Sequence, residues 1–283
     1  MARPRKSTIR VATLNIAANP HPTGVYTDML FEARRRLVRT SYRGSDYVVI
    51  GGVEKKDESP GLIFGRLFVF TELDTGGQWL NARKMEPASQ EDLKDLYVPE
   101  DVKPNLREFH FVFQEKNHRM YLEVRNQFGK RVAPIQIARS VQDLLSHVVN
   151  EDTMVSVTVE PERDAIERIL KLDAIKRIEI DIRLPNPDID PEGEAEVWAE
   201  LDQQGIGEQK MDLAAKPGAR VNLNEGNQLK ARVAARNGVV RARGLSGGNR
   251  VSLATTDYPK EDIVTFIFGA NPFKVIIDHF RLK

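Results

Sequence analysis

The stretch Arg177-Ile-Glu-Ile-Asp-Ile-Arg-Leu184 decides how this chain is expected to fold. An apolar residue stands at every second position, and a charged residue stands at each position between them. Because successive side chains of a strand point to opposite faces, this period of two predicts a strand with one buried face and one wet face. Such strands are typical of antiparallel or mixed sheets.

Two further patterns upstream of this strand add to the expected architecture. Phenylalanines alternate from Phe109 to Phe113, and apolar residues alternate from Met120 to Val124, which predicts a hairpin with its turn at 116–118. An apolar stripe from Ile137 to Val148 predicts a helix. Strands and helices do not alternate regularly along the chain, so we expect an α+β fold in which helices pack on mixed or antiparallel sheets.

The chain has 283 residues, which is enough for two modest domains. The polar run at 150–152 separates the predicted helix from the next predicted strand. We therefore expect two α+β subdomains, residues 1–150 and residues 151–283.

Composition excludes several classes of function. The 42 Lys and Arg residues nearly balance the 41 Asp and Glu residues, so the overall charge does not indicate a nucleic-acid partner. With no cysteine and five histidines in no ligand-like spacing, we expect no metal site, and the lack of cysteine favours the cytoplasm. The sequence contains no apolar run of about 18 residues, so we expect no membrane span. The sequence contains no nucleotide-binding or hydrolase motif. We therefore expect no cofactor, no small-molecule substrate and no catalytic activity.

Basic residues nevertheless form two clusters along the chain. The first cluster consists of Arg34, Arg35, Arg36, Arg39 and Arg43. The second cluster consists of Lys230, Arg232, Arg236, Arg241, Arg243 and Arg250. Within the second cluster, Arg232 and Arg236 share one face of a predicted helix, while Arg241 and Arg243 share one face of a predicted strand.

If that helix packs beside that strand, several guanidinium groups converge, and phosphate is their natural ligand. The sequence thus predicts binding to duplex DNA without sequence preference, with the first cluster as a second surface. The alternative for the second cluster is a solvated helix face, with its arginines paired to the acidic segment at 187–204. In the first cluster, Glu32 and Arg36 are four residues apart and form a stabilising pair on the predicted helix.

Two other functions stay open. Pro187-Asp188 followed by Glu208-Gln-Lys210 fits the outline of a PD-(D/E)xK nuclease, in which two carboxylates hold Mg²⁺ and a lysine lies near the attacking water. The second half of this motif also occurs at Glu54-Lys-Lys56 and at Asp92-Leu-Lys94, so the motif is not specific. The acidic segment from Pro187 to Asp202 instead fits a protein-interaction module that docks a basic partner or the basic cluster of a second copy.

Several short motifs spread over nearly the whole chain resemble those of one family. They are Leu14-Asn-Ile-Ala-Ala18, Arg43-Gly-Ser-Asp-Tyr47, Trp79-Leu-Asn81, Pro104-Asn-Leu-Arg107, Val157-Thr-Val-Glu-Pro-Glu-Arg-Asp-Ala-Ile-Glu-Arg-Ile169, Pro185-Asn-Pro-Asp188 and Ala234-Ala-Arg-Asn-Gly238. With them the sequence resembles a bacterial domain family of unknown function that is often reported among phage-defence genes.

The order of elements, with a Phe-rich hairpin and a strand that ends in the turn at 157–161, is also distantly similar to the RexA-like exclusion proteins of phage lambda. This resemblance implies a homodimer that binds DNA without sequence preference and acts in phage exclusion. It implies no catalytic residue.

Overall fold

The structure is a computed structural model and describes residues 5–183 and 195–282. These residues form fourteen strands and seven α-helices. The strands are β1 (Lys6–Asn19), β2 (Arg39–Arg43), β3 (Asp46–Lys55), β4 (Leu62–Thr71), β5 (Leu80–Asn81), β6 (Glu86–Pro87), β7 (Arg107–Gln114), β8 (Arg119–Arg125), β9 (Met154–Val159), β10 (Ala174–Arg183), β11 (Glu208–Ala214), β12 (Gly238–Ser246), β13 (Asn249–Ala254) and β14 (Glu261–Ile267). The helices are α1 (Val25–Arg35), α2 (Gln90–Leu93), α3 (Pro134–Ser146), α4 (Ala165–Leu170), α5 (Ala195–Gln203), α6 (Glu225–Arg236) and α7 (Pro272–Phe280).

The first sheet has the strand order β14-β1-β8-β7-β4-β3-β2, and β9 also pairs with β1. On the edge of β1 opposite β8, β14 pairs with residues 6–12 and β9 pairs with residues 14–19. All of these pairings are antiparallel, and the expected α+β class is confirmed. The first sheet takes strands from both sides of residue 150. Whether residues 1–150 and 151–283 are separate subdomains stays a prediction.

Helices cover both faces of the first sheet. Phe109, Phe111 and Phe113 are fully buried on the face that α1 and α3 cover, as the alternation of phenylalanines predicts. On the other face, Phe64 and Val112 pack with residues of α7. The first sheet is therefore the centre of a three-layer arrangement.

The second sheet has the order β11-β10-β12-β13 and is also antiparallel. Ile178, Ile180 and Ile182 are fully buried and share a core with α6, so the strand predicted from their period of two is confirmed. Leu184, the last residue of that pattern, lies outside the described residues. The side chain of Asn224 begins α6 by accepting a hydrogen bond from the backbone N–H of Asn227 at 2.8 Å.

The first helix ends sooner than its apolar stripe predicts. The sequence places a helix from Tyr26 to Arg39, whereas α1 ends at Arg35 and Leu37 adopts a left-handed φ of 51°. The chain then enters β2, a strand that the sequence did not predict. Along residues 5–183 and 195–282, no helix is both long and apolar enough to cross a membrane.

Candidate nucleic-acid interface

The second sheet carries helices on one face and charged side chains on the other. Val240 and Ala242 of β12 are buried in the core that includes α6, so Arg241 and Arg243 point to the opposite face. Leu245 lies opposite Arg250 in the β12–β13 register, which places Arg250 on this same face. We call this surface the outer face and name Arg241, Arg243 and Arg250 the hairpin arginines.

The hairpin arginines are all exposed. None of them forms an ion pair with another described residue, although Arg243 lies near enough to Asp212 to help lower the pKa of that carboxyl group. The main cause of the lowered pKa of Asp212 is the hydrogen bond that it accepts from Arg177. Arg177 lies on β10, between β11, which carries Asp212, and β12, which carries Arg243. The outer face is thus basic along β12 and β13 and mixed in charge along β10 and β11.

The basic residues of α6 do not join the hairpin arginines. This helix packs its Ala and Val residues on the apolar face of the sheet, so Arg232 and Arg236 lie on the far side of the sheet from Arg241. Arg232 pairs with Glu167 of α4, and Lys230 Nζ lies 2.7 Å from the nearest carboxylate oxygen of Glu200 in α5. The prediction that the helix and strand arginines converge is therefore wrong.

The acidic segment is described only in part. Asp188 and the other residues before Ala195 lie outside the described residues, and the remainder forms α5. Lys230 of the second basic cluster forms an ion pair with Glu200 of the acidic segment. At this one contact, the structure agrees with the alternative in which that cluster is paired to the acidic segment.

The first basic cluster is divided rather than continuous. Glu32 accepts hydrogen bonds from both Arg35 and Arg36, and these bonds lower the pKa of Glu32 to about 2. Arg39 Nη1 lies 3.2 Å from a carboxylate oxygen of Glu72. These contacts neutralise part of the cluster, and the expectation that it forms a second surface for DNA stays a prediction. Arg34 lies on α1, and Arg43 lies at the end of β2, where it lines a separate cavity.

Near one end of the outer face, two carboxylates and a lysine come together. The register between β10 and β11 places Asp181 opposite Lys210 and next to Glu208. Lys210 Nζ lies 3.1 Å from Glu208 Oε1, and Arg183 Nε lies 3.7 Å from the same oxygen. Asp181 is buried, and its Oδ1 atom has no hydrogen-bond partner among the described residues.

The pKa values of these two acids move in opposite directions. Burial raises the pKa of Asp181, and the neighbouring negative charge of Glu208 adds to the rise. The hydrogen bond from Lys210 lowers the pKa of Glu208. Neighbouring acids whose pKa values are pushed apart are typical of sites that perform acid–base or metal-assisted hydrolysis.

This arrangement adds a second acid to the nuclease hypothesis, since Asp188 of the predicted motif lies outside the described residues. Glu208 and Lys210 lie together as the E-x-K motif predicts, but the carboxylate that the structure brings to them is Asp181. The sequence places Asp181 on the wet face of its strand, yet the pairing of β10 with β11 was needed to bring it to Glu208. The described residues contain no group of three His, Cys, Asp or Glu side chains that could hold a metal ion.

A cavity of about 190 Å³ lies beside the carboxylates, where the two sheets meet. Arg183 and Glu208 line it from the second sheet, Asn19 and Ser156 line it from the first sheet, and Gln142 lines it from α3. Glycine at position 238 allows its backbone to approach that of Asp181 closely, because a Cβ atom there would lie 1.9 Å from the carbonyl oxygen of Asp181. Asp181, Glu208 and Lys210 therefore lie on the paired strands β10 and β11 rather than on a loop.

Together the fold and this surface define an α+β protein of antiparallel sheets, with an open, charged sheet face. A family model for a domain of unknown function, DUF4747, matches residues 7–266, and the chain belongs to that family. No curated protein matches the sequence.

Proposed function

We propose that this protein binds duplex DNA without sequence preference through the hairpin arginines, and that it does so without cutting it. The observation that carries the proposal is that Arg241, Arg243 and Arg250 are exposed on one face and unpaired with any other described residue. Guanidinium groups keep their charge and offer a planar fork of donors to phosphate oxygens. Contacts of this kind give affinity that does not depend on base sequence.

The test is the salt dependence of binding to fluorescent duplexes of unrelated sequence. Three phosphate contacts predict that log K falls against log salt with a slope of about −2.7. In the Arg241→Glu/Arg243→Glu double variant we expect binding to weaken for every sequence alike. Arg34→Glu/Arg35→Glu is the matched control, since it changes the net charge equally at a distant helix. Equal weakening in both variants, or binding that ignores salt, contradicts the proposal.

The biological setting that we propose is phage defence or exclusion in the cytoplasm. The short motifs shared with a family often reported among phage-defence genes, and the distant RexA-like order of elements, support this setting. Plaque counts on cells that express the wild-type protein or the Arg241→Glu/Arg243→Glu variant test it. Protection that is equal in both strains separates any defence role from DNA binding.

A homodimer is part of the same proposal, and its support lies in an edge strand. β14 pairs only with β1 among the described strands, and its Ile263 and Ile267 side chains are 60% and 59% exposed. Exposed apolar edge strands pair readily with a second copy. Molar mass by light scattering, at low and high salt, tests this dimer. A monomer at both salt concentrations contradicts it.

A Mg²⁺-dependent nuclease is the second candidate, favoured by the β10–β11 register that places Asp181 beside Glu208 and Lys210. Mg²⁺ is commonly held by one or two carboxylates together with water and substrate phosphates. Water would attack the phosphorus, one P–O ester bond would break, and the leaving oxygen would take up a proton, with Lys210 near the attacking water.

Nicking of supercoiled plasmid in the presence of Mg²⁺ distinguishes the two candidates. If the protein is a nuclease of this kind, we expect nicking that is lost in Asp181→Asn and in Glu208→Gln and retained in Asp188→Asn. Loss in Asp188→Asn with activity retained in Asp181→Asn identifies the acid of the original motif instead. Plasmid that binds but stays supercoiled supports the non-catalytic protein.

A further inference from the structure

A second cationic feature lies at the rim of the first sheet, outside the outer face. It is a cavity of about 520 Å³ between the turn that joins β2 to β3, the end of β8 and the beginning of α3. Five arginines line it. They are Arg10, Arg43, Arg107, Arg125 and Arg131. Only Arg43 belongs to the basic clusters that the sequence singled out.

The cavity carries excess positive charge. Arg107 pairs with Asp46, and Arg10 Nη1 lies 3.1 Å from Glu261 Oε2, and these are the two carboxylates in the lining. Arg43, Arg125 and Arg131 form no ion pair with any other residue that the structure describes. Five arginines against two carboxylates leave a net charge of about +3 around this open cavity.

Three of the arginines are direct cross-strand neighbours. Arg10 of β1 lies opposite Arg125 of β8, and Arg125 in turn bridges to Arg131. Like charges that face each other across strands destabilise a sheet. In addition, Arg125 Nε is buried without a hydrogen-bond partner among the described residues, and an unsatisfied buried donor also costs stability. A bound anion would relieve both unfavourable terms.

The beginning of α3 adds to the attraction for an anion. Ala133 and Pro134 line the cavity, and the 13-residue helix begins at Pro134 with no side-chain cap at Ala133. Pro134 has no backbone N–H, and that of Ala133 donates to the hydroxyl oxygen of Tyr42 at 2.8 Å, so the helix contributes through its dipole, which places partial positive charge at this end. Phosphate is among the anions that this partial charge favours.

From these observations we propose that this cavity binds a small phosphorylated molecule of nucleotide size. The phosphoryl group would lie between the arginines and the start of α3, where guanidinium groups make charge-assisted bonds. A volume of about 520 Å³ exceeds what a lone phosphate ion fills and lies in the range of small-molecule sites. The proposal is independent of the hairpin arginines, which belong to the other sheet.

The experiment is calorimetric titration of the full chain with inorganic phosphate, pyrophosphate, AMP, ADP and unphosphorylated adenosine. We expect the phosphorylated probes to bind and adenosine not to bind. In Arg43→Ala/Arg131→Ala we expect the dissociation constant to rise about tenfold or more. Both of these side chains are exposed, so the variant is expected to fold, and thermal unfolding checks this. Arg34→Ala/Arg35→Ala, with the same loss of charge, is the control and should leave binding unchanged.

Tighter binding of AMP or ADP than of phosphate and pyrophosphate supports a nucleotide-sized ligand. Three results overturn the proposal: no binding of any phosphorylated probe at low salt, equal weakening in the control, or nucleotides that bind no more tightly than inorganic phosphate. If Arg43→Ala/Arg131→Ala weakens duplex binding instead, the cavity is part of a nucleic-acid surface. Loss of duplex binding in Arg241→Glu/Arg243→Glu, with probe binding intact, separates this cavity from the outer face.

Discussion

The two sheets of this protein differ in how many of their faces are covered. The first sheet has α1 and α3 on one face and α7 on the other, so both faces are part of a core. The second sheet is covered by α4, α5 and α6 on one face, and the other face is left to charged side chains. The comparison explains which cations of the second basic cluster stay available. Arg232 and Lys230, on a packed helix, meet carboxylates of neighbouring helices, whereas the hairpin arginines meet none among the described residues.

The largest expected effect comes from dividing the chain. A fragment of residues 1–150 lacks β9, β14 and α7, which leaves one edge of β1 unpaired and one face of the first sheet uncovered. We expect this fragment to show no cooperative unfolding by circular dichroism, whereas the full chain does. A fragment that unfolds cooperatively would instead establish residues 1–150 as a separate domain.

Close packing inside the first sheet predicts the next largest effect. A Cβ atom at Gly65 would lie 2.1 Å from the ring of Phe111, which is fully buried on the neighbouring strand. We expect Gly65→Ala to lower the free energy of unfolding by about 1–3 kcal/mol, since the ring has to move. Denaturant titration measures the change. Gly76→Ala, whose nearest contact is 3.7 Å away, is the control. A Gly65→Ala protein as stable as wild type would mean that the core adapts.

Asp181 is predicted to make the stability of the protein depend on pH. Burial raises the pKa of Asp181 in the folded protein above its ordinary value of 3.8, so between these two values the folded state binds more protons than the unfolded state. The stability that this group contributes is full below 3.8 and is lost as pH rises through the folded-state pKa. We expect Asp181→Asn to be more stable than wild type at pH 7 and similar to it at low pH. Thermal unfolding between these limits measures the difference, and a constant difference at all pH values would contradict the prediction.

The smallest effect is expected on the outer face. Replacing Arg241 and Arg243 with alanine removes no ion pair formed by the described residues, so we expect the free energy of unfolding to stay within about 0.5 kcal/mol of wild type. Denaturant titration alongside Arg232→Ala, which breaks a pair with Glu167, makes the comparison direct. A large loss of stability at the hairpin would show that these arginines are structural.

The sequence predicts the sheets better than it predicts what lies on them. The period of two around Ile180 and the alternating phenylalanines around Phe111 are local patterns, and both strands form where the patterns predict. The side on which α6 packs is not local, because it depends on which face of the sheet is apolar after β10 and β12 have paired. The expected convergence of Arg236 with the hairpin arginines failed for that reason.

Sites built by distant segments leave no local pattern to detect. The (D/E)-x-K motif at Glu208 also occurs elsewhere in the chain, and only the β10–β11 register selects Asp181 as its companion. The arginine-lined cavity takes its cations from separate strands and turns, from Arg10 to Arg131. Neither charge counting nor periodicity brings such residues together, since each lies in an ordinary sequence context.

The long edge of β1 has a consequence for how the protein is made. On that edge, β1 pairs with β14, with Lys6 opposite Ile267. Because β1 is synthesised early and β14 late, this pairing can form only near the end of translation. Contacts between such distant positions slow folding, and apolar strands left waiting are prone to aggregate. During translation, β1 therefore leaves the ribosome long before its neighbours exist. Chaperone supply and growth temperature are accordingly expected to decide how much of the newly made chain reaches its native state.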